Sequence, residues 1–290
     1  MPLTVSSPAI PSRGAGLAAL AVSAFALAAP ALTTPAFADT AADRRGDTAF
    51  NDPSIEHAPG DGIVKLYGAG GPNTAFRKVA DVWTERTGTA VEVIAGPEAK
   101  WTKDAQRDAD ILWGTSEQSM TAFLLTYTAF DPEKVEPIYL RPAVIAVAAG
   151  NPKGIEGFDD LLANGVRVVV TEGAGVYNTS GTGVWEDVAG RLGKLEDIAG
   201  LRANIVAYAL GSGASYGVIS GGEADAWITW PNWPLTKDDL DMVEIEPERT
   251  IHRDVNVVLS PDADPEARAF LDFLVSEEAQ AIMKTEGWVR

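Results

Sequence analysis

Val166–Asp187 reads VRVVVTEGAGVYNTSGTGVWED. Its first six residues, Val166–Thr171, are apolar and β-branched, the pattern of a buried strand in a parallel sheet. Val184–Leu192 has the apolar spacing of a helix. Between them lies a loop of short hydroxyl and amide side chains: Asn178, Thr179, Ser180, Gly181, Thr182 and Gly183. Such residues cap helix N-termini, where free backbone N–H groups and the helix dipole together attract an anion. The loop holds no Lys and no Gly-x4-Gly-Lys-Ser/Thr spacing, so it is not a nucleotide P-loop. Alone it is an ordinary capped βα turn, and its functional reading comes from similar loops elsewhere.

The same alternation runs through the chain from Gly62 onward. Strands are predicted at Ile63–Tyr67, Thr89–Ala95 and Ala109–Trp113, with helices at Thr74–Thr87, Glu98–Arg107 and Ser116–Thr126. Val135–Ala149 is a long extended segment broken by Pro137 and Pro142, and Phe158–Ala163 is a short helix. Past Leu192 come strand Ile205–Leu210, a short helix at Ala214–Ser220, and strands Ala224–Trp230, Val243–Glu246 and Val255–Leu259. Helices Pro265–Val275 and Glu277–Glu286 close the chain. Repeated βα units imply an α/β fold of parallel sheets covered by helices. No internal sequence repeat accompanies them.

In open α/β sheets, ligands sit beyond the carboxyl ends of the strands. The segments there are Gly68–Thr74 (GAGGPNT), Gly114–Ser119 (GTSEQS), Gly211–Ser215 (GSGAS), Thr229–Trp233 (TWPNW) and the Gly173–Asp187 loop. Several Gly, Ser, Thr and Asn caps around one crevice, without a titratable cluster, form a binding pattern rather than a catalytic one.

The N-terminus carries an apolar Ala/Leu-rich run, Gly14–Ala29, behind Arg13, and a small-x-small Ala36-Phe37-Ala38 site. Residues 1–38 therefore read as a secretory signal cleaved after Ala38. Residues 39–61 are polar and aperiodic, a flexible leader outside the core. The whole chain has a formal net charge of −18, and Arg13 is the only charge before Asp39, so the remainder carries −19. That argues against nucleic acid and anionic membrane as partners. The chain has no cysteine, which removes disulfides, thiolate metal sites, a Cys nucleophile and a lipidated N-terminal Cys. Export without a lipid anchor favours a periplasm.

The segments LYGAGGPNTAFRKVAD, ADILWGTSEQSM, YLRPAVIAV, GAGVYNTSGTGVWED and EADAWITWPNW resemble the accessory colonisation factor C-like solute-binding proteins. These are exported relatives of the molybdate- and sulfate-binding proteins of ABC transporters. The resemblance spans Gly62 to Arg290, with NTSGTGVWED its most specific motif. It implies the two-lobed type II periplasmic binding protein fold, two parallel-core sheets flanked by helices and joined by crossovers at Leu140–Ala149 and Thr250–Leu259. Lobe 1 would combine residues 62–140 with the crossover and C-terminal helices of 250–290, and lobe 2 would be 141–249. Carried over, ligand contacts fall on Gly71, Asn73, Thr74, Ser116, Gln118, Thr179, Ser180, Gly181 and Thr182, with Arg141 supplying a positive charge. Asn178, Ser212, Trp230 and Arg253 join them as further candidates. Two positions depart from relatives: Asn73 replaces a His, and Gly211–Gly217 lacks a basic side chain. The implied ligand is a small anion, an inorganic oxyanion or a carboxylated or phosphorylated metabolite. The implied partners are an ABC transporter permease and a second copy of the chain, with no cofactor.

Alternatives remain at several of these residues. Arg141 and Arg253 suit either a ligand or a structural ion pair near the lobe boundary. Trp227, Trp230 and Trp233 suit either a sugar ring or lobe packing. Gly213–Gly217 matches the nucleophile elbow G-x-S-x-G, and with Asp225 and His252 it gives the Ser…acid…His order of a secreted serine hydrolase built on Ser215. GAGG after the first strand lacks the third glycine of a dinucleotide fingerprint and the acid that should end the second strand. The two histidines are too few and too far apart for a metal site.

Overall fold

The computed structural model describes residues 51–96, 98–172 and 180–290. The signal segment 1–38 with its cleavage site, residues 39–50 of the leader, Asn178 and Thr179 lie outside the described residues.

The first lobe opens with β1 (Val64–Gly68), α1 (Asn73–Thr87), β2 (Val91–Ala95), α2 (Thr102–Asp108), β3 (Ile111–Gly114) and α3 (Glu117–Leu124). All five residues of β1 are buried, which is why VKLYG shows no polar alternation. Gly68 is required by packing, since a Cβ there would sit 2.3 Å from the Trp113 ring. The chain leaves through β4 (Glu136–Pro142) and enters the second lobe as β5 (Val144–Ala148). There follow β6 (Val168–Glu172), α4 (Val184–Ala189), α5 (Leu195–Asn204), β7 (Ile205–Leu210), α6 (Ser212–Ser220), β8 (Ala226–Thr229) and β9 (Leu240–Glu244). Strand β10 (His252–Leu259) then returns to the first lobe, and α7 (Pro265–Leu274) and α8 (Glu277–Lys284) cover it.

The two sheets have the orders β2-β1-β3-β10-β4 and β7-β6-β8-β5-β9. In each, three strands of the βα units are mutually parallel. The fourth position is antiparallel to both neighbours: β10 between β3 and β4, β5 between β8 and β9. Both sheets are therefore mixed around a parallel core. The direction has a simple cause: β5 and β10 enter from the crossover side, so they run away from the edge toward which the other strands run. The carboxyl ends of β1, β3, β4, β6, β8 and β9 consequently share the cleft side. The two crossovers also touch, Ala143 N–H donating to the Ile251 carbonyl at 2.8 Å.

Each sheet is covered on both faces. In the first lobe, Phe76, Val79, Phe270, Leu274 and Met283 form one layer and Trp101, Leu112, Met120, Phe123 and Tyr127 the other. In the second, Phe158, Val170, Val188 and Leu201 lie on one side and Ala209, Ile219 and Trp227 on the other.

Several elements differ from expectation. Helix α5 had no counterpart, the Phe158–Ala163 helix is a 3-10 turn over Asp159–Leu162, and the extended segment breaks at Ala143 rather than at Pro137. Residues 51–61 do not behave as a leader free of the core. His57 donates Nδ1–H to the Gln106 carbonyl at 2.9 Å and bonds Ser260 Oγ through Nε2 at 2.7 Å. The backbone N–H of Ala58 donates to the Arg107 carbonyl at 2.7 Å. A polar segment can thus dock by satisfying helix-end carbonyls rather than by burying apolar area.

Candidate functional site

Strand β4 carries Arg141 to the cleft, where its side chain is 2% exposed. Nη2 donates to Ser180 Oγ at 2.6 Å and to the Thr115 carbonyl at 3.5 Å, and Nη1 donates to Asn232 Oδ1 at 3.2 Å. Every one of these acceptors is neutral. The guanidinium carbon lies over the Trp230 ring at 4.4 Å and over the Trp288 ring at 4.7 Å, and Nε has no partner among the described residues. The π faces supply part of the missing counter-charge. Buried Arg249 provides the contrast: it also covers an aromatic ring, Phe158, but it has a carboxylate partner in Asp197.

Burial draws the Arg141 pKa down to about 9, the charge of Arg253 pushes it the same way, and Asp254 opposes both. At neutral pH the side chain is therefore still a cation, buried without a carboxylate hydrogen-bond partner among the described residues.

Loops from both lobes converge on this cation. Gly71 has φ +74°, and a Cβ on it would lie 2.9 Å from Thr115 Cγ2 and 3.5 Å from Arg141 Nη1. Only glycine lets the β1–α1 loop pass that close in that conformation. Across the cleft, a Cβ on Gly181 would lie 3.1 Å from Ser212 Oγ and 3.2 Å from Thr171 Cγ2. Gly71, Ser180, Gly181, Ser212, Trp230 and Arg141 are thus brought together, and Thr182 lies half-buried beside them.

The remaining expected residues are engaged inside their own surroundings. Asn73 Oδ1 accepts from Arg77 at 2.8 Å, and Thr74 Oγ1 donates to Glu286 at 2.5 Å. Ser116 caps α3 through a reciprocal pair with Ser119, and Gln118 is exposed. Arg253 stands opposite Arg141 in the β4–β10 ladder and reaches across to Asp187 of the second lobe at 2.5 Å. Sequence reasoning missed Thr115, Asn232 and Trp288. Asn232 lies in the TWPNW loop and was within reach of it, whereas Thr115 acts through its backbone and Trp288 follows the last helix.

The hydrolase reading of Ser215 is overturned. Ser215 is fully buried, and its hydroxyl shares a 2.7 Å bond with Thr171, whose oxygen also accepts from the Trp227 indole at 3.0 Å. Asp225 is paired with Arg167 at 2.7 Å. His252 is exposed at the start of β10, in the other sheet. The serine caps nothing reactive and ties α6 to β6.

The profile of the bacterial extracellular solute-binding proteins matches residues 64–289. Among solved structures, Peb3 from Campylobacter jejuni is 43% identical, with a TM-score of 0.73 over 78% of this chain and 99% of that one. PEB3 with L-phospholactate bound gives a TM-score of 0.74 at the same identity and coverage. The sulfate-binding protein SubI from Mycobacterium tuberculosis is 17% identical, with a TM-score of 0.61 over 78% of this chain and 86% of that one, and is similar in fold. The Azotobacter vinelandii periplasmic molybdate-binding protein, 16% identical with a TM-score of 0.58 over 78% and 99%, is likewise similar in fold. No curated protein sequence matches the chain. Matched along 226 consecutive positions, with the two-lobed fold and a cleft to suit, the chain belongs to the family of bacterial extracellular solute-binding proteins.

Proposed function

We propose that this protein is exported, is cleaved after Ala38 to act in the periplasm, and captures one small anion between its lobes for an ABC transporter permease. It performs no chemistry of its own. The observation that carries this reading is the buried Arg141 guanidinium, whose hydrogen-bond acceptors are all neutral. The same reading takes residues 62–140 and 250–290 as lobe 1 and 141–249 as lobe 2, closing on the ligand about the crossovers. Gly71, Ser180, Gly181, Thr182 and Ser212 line the ligand. Asn73, Thr74, Ser116 and Gln118 belong to the same rim, Arg253 adds field from the neighbouring strand, and Asn178 and Thr179, outside the described residues, complete the proposed set of ligand contacts. Neutral hydrogen bonds contribute about 1 kcal/mol each, and the charged ones of Arg141 more. L-phospholactate, bound by the 43%-identical PEB3, is one ligand of the class.

A homodimer is part of the proposal, and β7 supports it. That edge strand, IVAYAL, has no charge and no proline, and Val206, Tyr208 and Leu210 are exposed on it. The other edges, β2, β4 and β9, all carry charged residues or proline, the usual guards against pairing.

A melting screen of the purified protein against sulfate, molybdate, phosphate, citrate, L-phospholactate, neutral sugars and cationic amines tests the function. A ligand at about a hundred times its Kd stabilises by roughly 2.7 kcal/mol. A shift with one anion class supports the reading, and a shift only with neutral sugars or cationic amines overturns it.

A further inference from the structure

Segment Glu286–Arg290, which follows α8, is fastened to the first lobe at both ends. Glu286 is 2% exposed and accepts from Thr74 Oγ1 and from Lys78 Nζ, the latter at 2.7 Å, both on α1. Val289 and Leu140 exchange two backbone hydrogen bonds of 2.8 Å, so the segment runs antiparallel beside β4. Arg290 Nη1 donates to the Ile138 carbonyl at 3.1 Å. Leu140 directly precedes Arg141, and this pairing brings the buried Trp288 ring against the guanidinium.

Between these anchors sits Gly287, and it meets the second lobe. Its φ of +80° is what the end of α8 requires: Gly287 N–H donates to the Lys284 carbonyl and Trp288 N–H to the Met283 carbonyl, as in other helices that stop at a left-handed glycine. The space around it has a different cause. A Cβ on Gly287 would lie 2.2 Å from Pro231 Cβ and 2.9 Å from Pro231 Cγ, far inside van der Waals contact. Pro231 follows β8 of the second sheet, and its two neighbours, Trp230 and Asn232, both contact Arg141. Trp288, next to Gly287, contacts the same guanidinium. A loop displaced from Gly287 is therefore displaced from the guanidinium as well. The Arg253–Asp187 ion pair also spans the lobes, but its side chains are 36% and 50% exposed, so water and salt screen it. The approach at Gly287 depends on shape alone.

We propose that Glu286–Val289 is an interlobe clasp: rigid on the first lobe, it receives Pro231 of the second lobe at Gly287 when the lobes close, and Gly287 is the positioning residue that sets the closed fraction. This rests on the reading of anion capture by lobe closure given above. Anchored at Glu286 and Val289, the segment has little freedom left to lose when the loop arrives. An apparent dissociation constant is the intrinsic one divided by the competent fraction, so a side chain at residue 287 that keeps the lobes apart weakens binding without touching a ligand contact.

Gly287→Ala supplies that side chain, but it also places alanine at a positive φ. Pro231→Gly separates the two effects, because it removes both atoms that a Cβ at residue 287 would strike and leaves the φ there unchanged. The next atom, Leu235 Cδ1, would be 3.4 Å from that Cβ, an ordinary contact. The four proteins of this cycle, wild type, each single variant and the pair, are titrated calorimetrically with L-phospholactate and with sulfate. For whichever probe the wild type binds, Gly287→Ala is expected to bind at least fivefold more weakly, and the double variant to bind within threefold of Pro231→Gly. A smaller loss in Gly287→Ala overturns the clasp and leaves anion capture standing. A double variant more than threefold weaker than Pro231→Gly assigns the loss to strain at residue 287 and overturns the clasp as well. Should Gly287→Ala fail to fold, the double variant decides: folding together with binding within threefold of Pro231→Gly supports the clasp, and failure of the double variant to fold overturns it. If the wild type binds neither probe nor any other anion of the screen, capture itself fails and takes the clasp with it.

Discussion

Arg141→Met is the perturbation that separates a ligand residue from a structural one. Methionine keeps most of the buried volume and the contact with Trp230 and Trp288 and removes the charge. Burial draws the Arg141 pKa down to about 9, so the ligand-free fold holds the cation at a cost. Against that cost stand two ring contacts and three hydrogen bonds to neutral acceptors, the one to the Thr115 carbonyl at 3.5 Å. The two sides oppose each other, so the ligand-free variant should melt within a few degrees of the wild type, at about 2–4 °C per kcal/mol for a domain of this size. Affinity behaves differently. Hydrogen bonds to a charged group contribute about 1.5–3 kcal/mol each, and the loss of two lowers anion affinity by more than a hundredfold. Titration calorimetry with L-phospholactate and a thermal melt of each protein give both quantities. A variant that binds within tenfold of the wild type refutes the assignment of Arg141 to the ligand. A variant that binds nothing but loses more than about 5 kcal/mol of stability shows instead a guanidinium with a structural counter-charge. Arg141→Lys should fall between, because it keeps the charge and loses the planar fork.

Three further outcomes follow from named contacts. Ser215→Ala should cost about 1 kcal/mol, because Thr171 Oγ1 keeps the Trp227 indole, and should leave anion affinity unchanged; an esterase activity that this variant abolished would restore the hydrolase. Burial raises the fully buried Asp110 to about 6, although it accepts N–H bonds from Lys65 and Asp264. Its folded pKa exceeds the unfolded value, so its contribution to stability is complete below about pH 4 and is lost as pH rises to about 6. The stability difference between wild type and Asp110→Asn should therefore drop by on the order of 2–3 kcal/mol across that window, and denaturation midpoints that keep a constant difference contradict it. Tyr208→Lys places a charge on the unguarded β7 edge and should yield a monomer by sedimentation velocity with melting nearly unchanged; a dimer that persists removes β7 as the interface.

The alternation of β-branched runs with helical spacing was enough for the fold because the inner parallel strands β1, β3, β6 and β8 are buried on both faces and show it directly in their residues. Helix α5 escaped for the converse reason. Only Asp197 and Leu201 are buried on it while Leu195 is 76% exposed, so it carries no apolar stripe to detect. Pro137 proved harmless because β4 is the last strand of its sheet and its pairing with β10 shifts register at that residue, a place where proline is tolerated. The reversal of β5 and β10 was illegible in principle, since an apolar run reads the same in either direction.

The site was legible as loops and not as contacts. Ser116 and Thr74 are hydroxyls at helix starts, the same in sequence as Ser180, yet one closes its own cap and the other meets a glutamate 212 residues away. Trp288 and Asn232 acquire a role only once the chain end and the β8 loop are carried to β4. The sharpest case is the pair of buried arginines near the crossovers. Arg141 and Arg249 are the same side chain, each against aromatic rings, and nothing in the local sequence tells them apart. What differs is that Asp197, 52 residues from Arg249, arrives beside it, and that the acceptors bonded to Arg141 among the described residues are neutral. A binding charge is defined by the partner it does not have inside the protein. That property belongs to the whole fold rather than to any stretch of the chain, and it is why the ligand-free stability and the anion affinity of Arg141→Met must be measured together.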